Sequence, residues 1–416
     1  MSNIIFEQLT EQHNNLKLWK EYGLSLTKEK SFRGKIITTE LKKINSEDRP
    51  TQEKQKKALK KLLEINFKKW VEKFELFEEI NFRFGYISSI HIKEKVIEEL
   101  KALTSEGLLE FPFALNLDDY LFDQDELEEL IESSYVKNVN KLDFSRCQLD
   151  LDMLKHLVNA DLPNLEELVL SDNDIGDKGI EIIVNSTSLK KLKTLDISIN
   201  KIRNSGLITL FNSKSLPYLK NIILNNNSIT DEDVITITQS KSLEKINSLS
   251  FECCHISDKG VQALANCEGL SSLISLNLKE NNIDDKGLIA LANSNFLNQL
   301  QELNLSTNGI ITDEAIKVLS SSANFKNLKS LNLDSSEISD EGLKHLSSSN
   351  SLPSLTNLEF SFTGLTDKGV SYLINSDSFR NLECLKIAYT DISDEGIKKL
   401  ENSNKFSAHY RTITEI

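Results

Sequence analysis

Short bursts of alternating apolar residues recur along most of the chain at an even spacing. Leu168, Leu195, Ile222, Leu249, Leu276 and Leu303 lie 27 residues apart, and each is followed two residues later by another apolar side chain. Alternation with a period of two predicts a short strand with one face buried. Behind each strand, stretches such as GVQALA (260–265), GLIALA (287–292) and GLKHLS (342–347) space their apolar residues as an amphipathic helix does. The period extends backwards to Leu142, Leu115 and a possible first strand at Ile90. Forwards, a one-residue insertion near Ile310 and Ile311 shifts the phase before Leu331, Leu358 and Leu385 restore it. About eleven strand–helix units are predicted, none able to bury its apolar face alone, so the stack must be continuous to be stable.

Each unit repeats the same local grammar. Asn173, Asn200, Asn227, Asn281 and Asn308 follow the strand, where a side-chain amide can satisfy backbone groups in a turn and, when stacked, form a ladder. Cys147 and Cys254 take that place twice, and Ser336, Thr363 and Thr390 take it in the last three units. The pairs Ser257-Asp258, Ser339-Asp340, Thr366-Asp367 and Ser393-Asp394 put a capping hydroxyl and an acid at a helix start. Glycines recur six residues beyond the ladder position, at Gly179, Gly206, Gly260, Gly287, Gly342, Gly369 and Gly396, as close helix packing would require.

Written out, LEELVLSDNDI (165–175), LKTLDISINKI (192–202) and LISLNLKENNI (273–283) follow L-x-x-L-x-L-x-x-N-x-L. This resembles the leucine-rich repeat, and the unit length with its G-x-x-A-L-A stretch is similar to the ribonuclease-inhibitor and bacterial GALA types. The resemblance covers roughly residues 113–402. It implies an α/β solenoid, a horseshoe with a strand-lined inner face, and a protein partner.

The first 84 residues lack the period. Three segments are expected: a small, mainly helical domain at 1–84, the solenoid at 85–402, and a C-terminal cap at 403–416. In residues 53–77, Leu59, Leu62, Leu63, Phe67, Trp70, Phe74 and Phe77 fall at helical spacing with lysines between them. That helix is expected to cover the apolar end of the first unit, as Phe406, Tyr410, Ile413 and Ile416 would cover the last. Leu16-x-x-Trp19, Gly23, Phe32-Arg33-Gly34 and Asn81-Phe82-Arg83-Phe84-Gly85-Tyr86-Ile87 resemble the domain preceding such repeats in bacterial repeat-companion proteins.

Charge narrows the choice of partner. The net charge is −14, yet residues 1–84 carry 18 Lys+Arg against 13 Asp+Glu, so the acidity belongs to the repeats. A negative field repels phosphate backbones, which predicts a protein partner with a basic surface and no nucleic acid. No apolar run reaches the length of a membrane span, and the start does not read as a secretory signal. The five cysteines are odd in number and lack a disulfide spacing. A cytoplasmic setting, or delivery by a specialised secretion system, is expected.

No catalytic constellation emerges, and neither a metal nor a cofactor is predicted. The six histidines are scattered, and Cys253-Cys254-His255, the one Cys/His cluster, spans an outward position, a ladder position and a turn, so its side chains should diverge. Function is expected on outward strand positions, where side chains are free of packing duties. The partner-binding set predicted there is Asp172, Asp196, Ile199, Ile223, Asn226, Glu252, Glu280, Phe362 and Tyr389. Phe362 and Tyr389 share one column in adjacent units, and apolar side chains facing water on a strand require a reason. Binding a protein is one such reason, and packing against the chain's own termini is another. The expected activity is non-enzymatic binding, with regulation or inhibition of a partner enzyme such as a small GTPase or a nuclease as the alternative.

Overall fold

A computed structural model describes residues 9, 12, 14–28, 31–45, 51–52, 54–59, 61–62, 77–84, 86–105, 107–403 and 411–412. The chain forms two compact units, one of residues 1–173 with 186–192, the other of residues 174–185 with 193–416.

In the first unit, α1 (Leu16–Lys28) and α2 (Phe32–Ile44) pack as a helical hairpin. Two glycines allow that approach. A Cβ on Gly23 would lie 2.6 Å from Ile37 Cγ2, and one on Gly34 would lie 2.5 Å from the Thr27 amide nitrogen. The strands that follow are β1 (Phe77–Arg83), β2 (Tyr86–Ile92), β3 (Phe113–Asn116), β4 (Val139–Asp143) and β5 (Glu167–Val169). β1 and β2 form an antiparallel hairpin, and β2 to β5 run parallel in chain order, with Ile90 beside Leu115, Leu115 beside Leu142 and Leu142 beside Leu168. Ile90 therefore occupies the strand position its spacing predicts. The boundary expected at 84/85 falls at the turn of the hairpin. Most of the amphipathic stretch 53–77 lies outside the described residues, and Phe77 begins β1 instead of ending a helix.

The segments singled out near the N-terminus converge on one cluster. The Trp19 ring stacks on Phe84 at 4.5 Å and meets Phe111 at 4.9 Å, while Arg33 lies 4.7 Å above Tyr86. Phe84 holds a φ of +55° in the hairpin turn, and its amide donates to the buried Glu40 carboxylate at 2.6 Å. The helical hairpin is thereby tied to the first strands of its own unit.

In the second unit, three-residue strands centred on Leu195, Ile222, Leu249, Leu276, Leu303, Leu331, Leu358 and Leu385 pair in parallel, each central residue beside the next, and Arg411–Thr412 adds to the last. Register survives the insertion, because Leu303 still lies beside Leu331. The extra residue is expelled in the turn: Ile310 is exposed with its amide held by Asp284 Oδ1 at 2.7 Å, while Ile311 is buried. Phe406, Tyr410, Ile413 and Ile416 lie outside the described residues.

Three hydrogen-bond ladders join successive repeats. In the first, Asn227 Oδ1 accepts from the Asn200 and Ile202 amides at 3.1 and 2.9 Å, and its Nδ2 donates to Ile197 O and Leu224 O. Asn281 and Asn308 repeat the pattern. Ser336, Thr363 and Thr390 instead donate only to their own turns, at 2.7 to 2.9 Å. The second ladder follows the helix starts. Asp313 accepts from the Ser339 amide and hydroxyl at 2.9 and 2.6 Å, as Asp340 does from Thr366 and Asp367 from Ser393. The third joins the helix ends, where Ser294 Oγ donates to Ala265 O and Ser322 Oγ to Ala292 O, both at 2.5 Å.

Candidate protein-binding strand face

Two outward columns leave each strand on the side away from the helices. In the first, Asp196, Ile223, Ser250, Asn277, Asn304, Asn332, Glu359 and Lys386 stand in lateral register through the second unit. Several of these polar groups are engaged locally. Asp196 Oδ1 accepts from the Ser198 amide at 3.0 Å and its hydroxyl at 2.6 Å, Asn304 does the same for Ser306, and Asn332 Oδ1 accepts from the Asp334 amide at 2.9 Å. Such turns satisfy a backbone group as the chain leaves the strand, so these side chains serve the fold as well as the surface. Period-two alternation alone does not reveal that role.

The second column follows from backbone conformation. Ile199, Asn226, Cys253, Glu280, Thr307, Ser335, Phe362 and Tyr389 each precede a ladder residue, and each has φ between +52° and +60°. For an L-residue this left-handed region costs roughly 1–2 kcal/mol, least for Asn and Asp, whose short polar side chains hydrogen-bond locally. Asn226 is therefore easily explained. Ile199, Phe362 and Tyr389 are bulky, and all three are exposed, at 45%, 55% and 58% of full accessibility. The Phe362 and Tyr389 rings stack with centroids 4.4 Å apart and planes 12° from parallel.

Charges surround this column. Lys279 Nζ lies 2.7 Å from Glu252 and 3.0 Å from Glu280, and Lys386 Nζ lies 3.1 Å from Glu359. Asp334 reaches the next repeat, where Oδ1 accepts from the Ser361 amide at 2.6 Å. Burial pushes the Asp334 carboxyl above the usual range, the Ser361 amide opposes that shift, and the neighbouring Glu359 adds to it. Lysines 279 and 386 thus belong to the face, although the predicted binding set omits them.

Of the predicted set, the eight members from Asp196 to Tyr389 lie in the second unit, while Asp172 lies in the first at an equivalent left-handed position, φ +56°. Phe362 and Tyr389 are in direct contact. In the first unit, Arg146 pairs with Asp118 at 2.5 Å and Asp119 at 2.8 Å, and the hydrogen bond to Asp119 foremost raises the pKa of the guanidinium. Its hydrogen bond lowers the Asp119 carboxyl, whereas burial raises that of Asp118.

The Cys253–His255 cluster diverges in the manner its phase predicts. Cys253 is exposed, whereas Cys254 is buried in the ladder, its thiol 3.6 Å from Leu224 O and pushed up by burial to about 11. A thiol so displaced is poorly suited to nucleophilic attack at neutral pH. Among the described residues, no group of three or more His, Cys, Asp or Glu is placed to hold a metal ion, and no helix is long and apolar enough to cross a membrane.

Comparison with family models identifies the repeat as leucine-rich. The Leucine Rich repeat family matches residues 161–184, 188–211, 242–265, 269–292, 297–320, 326–347, 351–373 and 380–400. No curated protein matches significantly by sequence. Among solved structures, an internalin (inlF) from Listeria monocytogenes is 23% identical over 77% of this chain and 85% of its own, with a TM-score of 0.43. TLR13 in its complex with ssRNA13 is 21% identical over 69% of this chain and 41% of its own, TM-score 0.46. The Rad7 and Elc1 complex from yeast gives 17% identity over 76% of this chain and 87% of the matched one, TM-score 0.41.

Proposed function

The chain is a leucine-rich-repeat protein, and we propose that it is a non-enzymatic protein-interaction module that holds a protein partner on its concave strand face, with Phe362 and Tyr389 as the anchors. One observation carries this reading: two aromatic side chains occupy adjacent positions that the backbone forces into the left-handed region, and both stand exposed to water. Folding alone favours Asn or Asp there. Aromatic side chains with a partly polar surround fit the anchors of transient protein interfaces.

The acidic and polar members of the predicted set in the second unit, Asp196, Asn226, Glu252 and Glu280, suit the polar part of such an interface, and the charge of −14 favours a basic partner surface over a phosphate backbone. Ile199 and Ile223 lie six and five repeats before the Phe362 repeat in the strand order and would make a separate apolar contact with an extended partner. A cytoplasmic partner, or one met after specialised secretion, is consistent with this chemistry.

The test is a Phe362→Asn/Tyr389→Asn variant used beside wild type as bait in a native lysate. Asn is the appropriate replacement because it relieves left-handed strain, offsetting the loss of a ring pair worth about 0.5–1.5 kcal/mol. Unfolding should therefore be nearly unchanged while at least one partner is lost. Identical partner lists from the two folded baits would refute the anchors. If a captured partner is an enzyme, assaying it with and without the bait decides whether binding also regulates it.

A further inference from the structure

The aromatic stack occupies only part of its column. Ring centroids 4.4 Å apart match the lateral spacing of strands in a sheet, about 4.7–4.9 Å, so Phe362 and Tyr389 form two rungs of a column that rises one repeat at a time. The preceding rung is Ser335, exposed, with φ +60° and a side chain too small to reach the level of the rings. On that side, the Phe362 face borders a gap one repeat wide. Two acidic residues lie beside it: Asp334, directly before Ser335, and Glu359 in the adjacent strand, whose Oε2 accepts from Asn332 Nδ2 at 2.8 Å. Asp334 leans toward the aromatic repeat, since its Oδ1 accepts from Ser361, the residue before Phe362. Lys386 pairs directly with Glu359 at 3.1 Å, and its field also reaches Asp334, which among the described residues makes no direct ion pair of its own.

A flat group with a positive charge would complete both patterns. It would stack as a third rung against Phe362 and lie within reach of the Asp334 carboxylate. A guanidinium is planar and cationic and stacks on aromatic faces, whereas a lysine ammonium supplies charge without a plane. We infer that the slot over Ser335 receives an arginine side chain of the protein partner, stacked on Phe362 and paired with Asp334. The inference rests on the interaction reading above and adds the chemistry of the residue recognised.

The experiment uses the full chain, labelled with 15N, and three peptides: acetyl-Gly-Arg-Gly-amide and its counterparts with citrulline or lysine in place of arginine. The arginine peptide should shift the amide resonances of Ser335, Phe362 and Tyr389. Citrulline keeps the plane without the charge and should bind roughly ten-fold more weakly, as should lysine. Ser335→Tyr fills the slot with a third ring and should abolish the response. Asp334→Asn should weaken it by a similar factor, each variant being checked by circular dichroism. Equal responses to arginine and citrulline, no response to any peptide, or an undiminished response in Ser335→Tyr would each overturn the inference. Partner capture that is lost in Phe362→Asn/Tyr389→Asn but retained in Ser335→Tyr and Asp334→Asn would leave the interaction reading standing and remove the arginine slot alone.

Discussion

Replacing Gly342 by alanine tests the coupling between successive repeats. In an ordinary helix interior this change stabilises by about 1 kcal/mol, because glycine loses more backbone freedom on folding. Here the added Cβ would lie 2.4 Å from Asp313 Oδ1 and 2.9 Å from Ile338 Cγ2. The carboxylate cannot remain where it is. Its movement disrupts the bond from the Ser339 amide at 2.9 Å and strains the one from the Ser339 hydroxyl at 2.6 Å. A hydrogen bond to a charged group contributes about 1.5–3 kcal/mol, and overpacking costs about 1–3 kcal/mol. Both figures need discounting because Asp313 is only half-buried, and the helix-propensity gain opposes them. The net expectation is a destabilisation of roughly 1–3 kcal/mol. Urea unfolding followed by circular dichroism measures it, with Gly364→Ala as the control, since a Cβ there meets only Ile338 O at an ordinary 3.5 Å. In an Asp313→Ala background only the contact with Ile338 Cγ2 at 2.9 Å remains, and Gly342→Ala should be clearly less destabilising than in wild type. A stabilised single variant, or a double-mutant cycle without coupling, would refute the reasoning.

Two further substitutions probe other parts of the fold. Asn227→Ala leaves the buried amides of Asn200 and Ile202 without their acceptor, at about 1–3 kcal/mol for each orphaned group, whereas Thr363→Ala removes only one bond within its own turn and should cost about 1 kcal/mol. Hydrogen exchange should accelerate at Asn200 and Ile202 in the first variant, and equal effects from the two substitutions would contradict the difference between the ladders. At Glu40, burial raises the carboxyl pKa despite the Phe84 amide, Arg83 and Lys43. A folded-state pKa above the unfolded value means that this group's contribution is fully present below the unfolded pKa and is lost as pH rises through the folded one. Glu40→Gln should therefore flatten the pH dependence of stability between those two values relative to wild type, and an identical dependence in the two proteins would exclude the burial argument.

The register of the strands was legible because the central apolar residues carry it directly: a shift by one residue at Leu276 or Leu358 would turn the buried face outward. The insertion at Ile310 was legible for the same reason. What stacking adds was not. The repeated glycines read as close helix packing, yet the nearest atom that an added side chain would meet at Gly260, Gly342, Gly369 and Gly396 is a carboxylate oxygen 29 residues earlier in the preceding repeat. A single repeat contains both Asp and Gly without showing that they meet across the boundary. Near the N-terminus, Trp19, Arg33, Phe84 and Tyr86 stood out as separate phrases, and only the tertiary structure gathers them. On the strand face, exposure of Phe362 and Tyr389 followed from their phase, but the strain did not, because φ depends on how the turn leaves the strand.

The position of the aromatic pair within the array has a physical logic. Its repeats belong to the group in which Ser336, Thr363 and Thr390 replace the ladder asparagine, so the turn beneath each ring lacks the bonds with which Asn227 or Asn281 reaches back to the preceding repeat. The same repeats carry an unbroken run of the helix-start ladder, from Asp313 to Ser339, Asp340 to Thr366 and Asp367 to Ser393, each with two hydrogen bonds. Spacing between the strands of the two aromatic repeats is set by backbone bonds, Phe360 N to Lys386 O at 2.8 Å and Phe362 N to Ala388 O at 2.9 Å, and the helix-start ladder fixes it a second time from the side away from the surface offered to a partner. A stack of rings in adjacent repeats requires that spacing to be constant, because a displacement of 0.5–1 Å already forfeits a quarter to a half of a contact's dispersion energy. Loosening the helix-start ladder should thus disturb the aromatic pair even though no atom of the ladder touches it. Asp367→Ala, which removes the two bonds from Ser393 that join the repeats of Phe362 and Tyr389, should broaden the ring resonances of both while the strand register remains, and sharp, unshifted rings in that variant would show that the platform does not depend on the ladder.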